Sequence, residues 1–126
     1  MYTCTKVIIE GGTLIETFNI ARRLIDEERE NAKGYKIPFI KGHKTKIKYY
    51  INVFHRHFDE KEYTDVVGRY RLTPCVFELL RFTKDKPEFS EGKNYYLLGM
   101  SGCGKDFKVI VRKKGDGYVL RTYFRV

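Results

Sequence analysis

Apolar residues recur at helical spacing early in the chain. Leu14, Phe18, Ala21 and Ile25 fall on one face, and Ile15, Ile20 and Leu24 widen it, which predicts an amphipathic helix. Thr13, with Glu16 three places on, has the spacing of a capping box, and Gly34 supplies a stop. Arg22, Arg23, Glu27 and Glu30 fall on the polar side, as on a solvated face. Before this helix, "TKVII" at 5–9 reads as a short strand that Gly11 and Gly12 break.

The middle of the chain is less regular. "YKIPFIKGHKTK", with Pro38 and Gly42, reads as an extended link. "IKYYINVFHRHF" fits two templates: Ile47, Tyr50, Ile51, Phe54 and Phe58 share a helical face, while Ile47, Tyr49, Ile51 and Val53 alternate as in a strand. Five apolar positions on one face, followed by acids, favour helix. In "RLTPCVFELLRF", Thr73 as cap and Pro74 in the first turn predict a short helix over 74–82.

From Lys93 onward the period changes to two. "NYYLLGMS", "FKVIVRKK" and "YVLRTYFRV" predict three consecutive strands, and the Asp-Gly pair at 116–117 suits the tight turn of a hairpin. Helices first and a meander last predict a single α+β domain over residues 1–126, its N-terminal helices packed on one face of a C-terminal antiparallel sheet. Strict alternation in the last strand sets Arg121, Tyr123 and Arg125 on one face and Leu120, Thr122 and Phe124 on the other. If Leu120 and Phe124 face the helices, a basic and aromatic row lies on the open side.

Composition changes this picture little. With 126 residues, 42% of them hydrophobic, and nineteen Tyr and Phe, the chain can bury one real core. No run of about 18 apolar residues is available to span a bilayer, and the start lacks the apolar run of a signal peptide, so a cytoplasmic location without membrane partners is expected. Cys4, Cys75 and Cys103 are odd in number and contain no C-x-x-C pair. They read as small apolar residues in a reducing compartment rather than as a disulfide or zinc framework.

Charge changes it more. Twenty-five Lys and Arg against sixteen Asp and Glu leave a net charge of +9. The cations are sorted: Lys36, Lys41, Lys44, Lys46, Lys48 and Arg56 stand between Tyr35 and His57 without one acid. Lys108, Arg112, Lys113, Lys114, Arg121 and Arg125 crowd the last strands, while acids gather in "DEERE" and "FDEKEYTD". A basic face of this kind attracts polyanions, with RNA expected ahead of DNA and an acidic protein partner or inhibitor as the rival.

Two constellations suggest chemistry. "GMSGCGKD" nearly matches a phosphate-binding loop at Gly99, Gly104 and Lys105, but Asp106 replaces the hydroxyl that would hold magnesium, and a strand rather than a helix follows. The stretch is therefore read as a glycine-rich connection between strands. The second is "HRH": His55 and His57 would share a metal with His43 or Cys103 only if the segment were a strand, and surrounding cations disfavour a dication. No metal and no cofactor are expected. The same residue types suit RNA cleavage, which needs a base, an acid and cations at the phosphorus.

Taken in order, the helical start, "FHRHF", "TPCVFELL" and the meander "YYLLGM...FKVIVRKKGDGYVLRTYF" resemble the small barnase, EndoU, colicin and RelE-like nuclease superfold, especially its phage-encoded versions, over residues 40–126. The Glu, Arg, His order of the barnase branch is not reproduced. The resemblance implies a four-stranded antiparallel sheet with helices on one side and a metal-independent ribonuclease of toxin or phage type. By position, it implies His57 for proton transfer, Arg121 and Tyr123 near the phosphate, and His55 and Lys44 as helpers. Lys46, Lys48, Arg56, Lys108, Arg112 and Arg125 would then hold the nucleic-acid backbone. A non-catalytic basic binding protein is the alternative expectation.

Overall fold

Thr13 caps the first helix as its spacing predicts, although its hydroxyl rather than its amide meets the Glu16 carboxylate. The Thr13 hydroxyl accepts a hydrogen bond from the Glu16 amide at 3.2 Å, and helix α1 runs Leu14–Asn31. The computed structural model describes residues 1–31, 47–49, 63–114 and 117–126. Ala21 and Ile25 are fully buried, as is Thr17, while Ile15 points into solvent, so the packed stripe is narrower than the apolar pattern suggested.

Two further helices follow, α2 over Tyr63–Arg71 and α3 over Thr73–Phe82. The first is a finding with no counterpart in the sequence reading. Val66, Val67 and Gly68 are weak helix formers, and burial of Val66, Val67 and Tyr70 outweighs their propensity. For α3 the expected cap is corrected: Leu72 occupies the cap position and makes no side-chain capping bond. The Thr73 hydroxyl is turned inward instead, donating to the Tyr70 carbonyl and meeting the Tyr123 hydroxyl, each at 2.6 Å.

Six strands form one sheet: β1 Tyr2–Thr3, β2 Ile47–Tyr49, β3 Phe89–Glu91, β4 Asn94–Met100, β5 Asp106–Lys114 and β6 Gly117–Arg125. The order is β1-β4-β5-β6-β2, and β3 pairs with the same edge of β4 as β1. Strands β3 to β6 make the antiparallel meander, whereas β1 and β2 join β4 and β6 in parallel. The α+β layout stands, with two corrections at the sheet edges. Residues 5–9 are not a strand, since pairing lies at Tyr2 and Thr3, and the segment 46–58 begins as strand β2, with residues 50–62 outside those described.

The core lies between the helices and one face of the sheet. Ala21 and Ile25 from α1, Val66 and Tyr70 from α2, and Val76, Leu79 and Leu80 from α3 meet Leu97, Phe107, Val109, Val111, Tyr118, Leu120 and Tyr123. Each such side chain contributes roughly 1.5–3 kcal/mol on leaving water. Close approach at Gly99 is part of this packing. A Cβ there would stand 2.6 Å from the Phe107 ring and 2.7 Å from a Leu79 methyl.

The segment after β1 fastens several elements together. Cys4 donates its amide to the Met100 carbonyl at 2.7 Å and its thiol to the Cys75 carbonyl at 3.2 Å. Thr5 gives both its amide and its hydroxyl to the Glu78 carboxylate, and Ile9 gives its amide to the Arg71 carbonyl. Cys4 and Cys75 are buried, and Cys103 is exposed.

Candidate functional site

The near phosphate loop is a strand connection, as its period suggested. Gly99 belongs to β4, β5 begins at Asp106, and the turn between them closes through Ser101. The Ser101 amide donates to the Lys105 carbonyl at 2.9 Å, and its hydroxyl accepts the Lys105 amide at 3.0 Å. Gly104 has φ of +80°, a conformation that glycine adopts without strain. Gly102 is needed for another reason: it donates to the Lys6 carbonyl at 3.0 Å, and a Cβ would stand 2.7 Å from that oxygen.

In β6 the expected faces are corrected. Val111 pairs with Leu120 and Ile110 with Thr122, so Arg121 has no opposite number and forms a bulge. The extra residue reverses the alternation halfway along the strand. Leu120 and Tyr123 therefore both point into the core, Arg121 is exposed, and Arg121 and Tyr123 do not share a face. Burial pushes the Tyr123 phenol well above its ordinary acidity range, against the opposing effect of its Thr73 hydrogen bond.

The other singled-out cations scatter. Arg112 is exposed on β5 opposite Asn94. Lys108 is half-buried and pairs with Glu88 at 3.3 Å. Lys48 lies in β2 opposite Val119. Lys44, Lys46, His55, Arg56 and His57 lie outside the described residues, as does His43. Among the described residues no group of three His, Cys, Asp or Glu is placed to hold a metal.

The sequence reading had not singled out Arg71, and it weighed Lys105 only as the lysine of a phosphate loop. Both line one cavity with Arg125. Its volume is about 320 Å³, and Ile8, Val67 and Leu72 supply its apolar wall. Gly68 lets Arg125 lie against α2, since a Cβ there would be 3.3 Å from the arginine Cδ. Arg71 is held by the carbonyls of Gly11 and Gly12, at 3.3 and 3.4 Å from Nη2, while its buried Nε has no partner. Thirty-four residues separate Arg71 from Lys105 and twenty separate Lys105 from Arg125, so no local pattern betrays the group.

Arg69 was also missed. It is buried, donates to the Thr122 hydroxyl at 3.4 Å and lies 5.5 Å from the Phe124 ring centroid, which ties α2 to β6. No protein-family model, curated protein or solved structure matches the chain.

Proposed function

We propose that the protein binds nucleic acid through its phosphate backbone, without cleaving it. One observation carries this reading: Lys105 in the β4–β5 turn, Arg112 on β5 and Arg121 and Arg125 on β6 reach solvent along the length of these strands, and none forms an ion pair with a carboxylate among the described residues. Cations without a carboxylate partner among the described residues attract polyanions, and counterions are released when they take up a phosphate. Acid-base ribonuclease chemistry draws less support, because the tyrosine it would use is sealed in the core and faces away from Arg121.

The test is retention of a single-stranded RNA and a DNA of the same sequence at increasing salt. Four backbone contacts give a slope of log affinity against log salt of about −3, and the Arg112→Ala, Arg121→Ala double variant flattens it by roughly 1.4. A salt-independent interaction, or none with either polymer, would overturn the reading. Incubation of RNA in chelator distinguishes the enzyme: cleavage that disappears in His57→Ala would establish a metal-independent ribonuclease instead. Tight association with an acidic protein and none with nucleic acid would point to the inhibitor class.

A further inference from the structure

The geometry points to a phosphate-monoester site in the cavity between α2, the β4–β5 turn and the end of β6, which shares Lys105 and Arg125 with the cations proposed to hold a polymer and adds Arg71. Arg71, Lys105 and Arg125 bring three positive charges to its lining, and among the described residues no acidic side chain lines it. A phosphodiester or a carboxylate carries one negative charge, whereas a phosphate monoester carries nearly two at neutral pH and offers three acceptor oxygens. The dianion therefore gains most from this charge.

The binding groups are also held in place. Arg71 is anchored by two backbone carbonyls, which leaves the guanidinium little freedom to lose when a ligand arrives, and its buried Nε lacks an acceptor. The Lys105 backbone is fixed by two hydrogen bonds with Ser101, and Arg125 lies along Gly68. The Arg forks match phosphate oxygens in pairs, while Lys105 serves as a point charge.

The cavity is larger than its charge requires. At about 320 Å³ it falls in the size range of small-molecule sites, and Ile8, Val67 and Leu72 offer an apolar surface beside the cations. The ligand is thus an organic phosphate whose carbon-bearing part lies on that wall. A free mononucleotide and the phosphorylated end of an RNA share this chemistry, and the experiment separates them.

Titrate the full chain with inorganic phosphate, a nucleoside 5′-monophosphate, acetate, and matched RNAs with and without a 5′-phosphate, following the amide resonances of Ile8, Gly68 and Leu72. The nucleotide should bind more tightly than inorganic phosphate, and acetate should bind weakest. Lys105→Ala and Arg125→Ala should each weaken nucleotide binding about tenfold, the loss of a charge-assisted hydrogen bond. Arg22→Ala, an exposed cation of α1, should leave it unchanged. If a variant loses its fold, Arg125→Gln and Lys105→Gln replace it, and the resonance shifts of the unsubstituted chain locate the ligand independently.

Tighter binding of the 5′-phosphorylated RNA than of the nucleotide would identify the polymer end as the source, and the reverse order would identify the free nucleotide. The proposal is overturned if phosphate and nucleotide leave those resonances unmoved at millimolar concentration, if acetate matches phosphate, or if Arg22→Ala matters as much as the pocket variants. Because the nucleotide arm contains no polymer, its failure is separate from any failure of backbone binding.

Discussion

Glu78 shows how one buried charge is kept. Burial alone would push its carboxyl upward, but hydrogen bonds from the Thr5 hydroxyl and amide, with Tyr2 and Cys4, outweigh it and hold the group below its ordinary value. A depressed folded-state pKa stabilises the protein above the unfolded value, near 4.3, and this contribution is lost as pH falls through the folded one. Glu78→Gln should therefore cost about 1–3 kcal/mol at pH 7, the range for a buried hydrogen bond to a charged group. The cost should shrink below about pH 4. Urea unfolding at the two pH values measures both, and an equal loss at each would contradict the assignment.

At the scale of elements, the bulge in β6 decides what the last strand can do. Its extra residue turns Tyr123 toward α3, where the hydroxyl meets Thr73. Tyr123→Phe is expected to cost about 1 kcal/mol of stability and to leave nucleic-acid retention unchanged, as thermal melts and the salt titration would show. A loss of retention with unchanged stability would assign the phenol a role at the surface. The same strand marks a limit of sequence reading. Leu120-Arg121-Thr122-Tyr123 alternates as a regular strand does, and nothing in its composition reports that Ile110 and Val111 oppose Thr122 and Leu120. Helix α1 and the three long strands were legible because their periods are long and their caps or turns conventional. Helix α2 was not, because long-range burial of Val66, Val67 and Tyr70 overrides its local preferences. Strands β1 and β3, two and three residues long, are too short to show a period. The candidate pocket was hidden for a related reason: its cations come from a helix end, a turn and a strand end, and only tertiary packing brings them together.

Over the whole molecule, the two parallel pairings join distant parts of the chain, Tyr2 with Gly99 and Ile47 with Tyr118. The segment following β1 then binds α2, α3 and the β4–β5 turn at once, through Ile9, Thr5 and Lys6. Deleting residues 1–9 should lower stability by at least about 3 kcal/mol, since several hydrogen bonds of roughly 0.5–1.5 kcal/mol disappear together. It also takes away Ile8 from the cavity wall. Urea unfolding of the shortened chain gives the first quantity, and nucleotide titration reads the second. A midpoint that does not move would mean the segment is only draped over a fold that stands without it.

The attachment of residues 2–6 has a consequence during synthesis. These residues leave the ribosome before their partners, the acceptors at Glu78 and Met100 and the donor amide of Gly102. Until those partners emerge, residues 2–6 have nowhere to dock, and once β4 has emerged, the part of its edge that β1 covers stays bare until the two meet. An uncovered edge of this kind recruits other strands. The interval before docking is thus when the growing chain is most exposed to misassembly and to proteases.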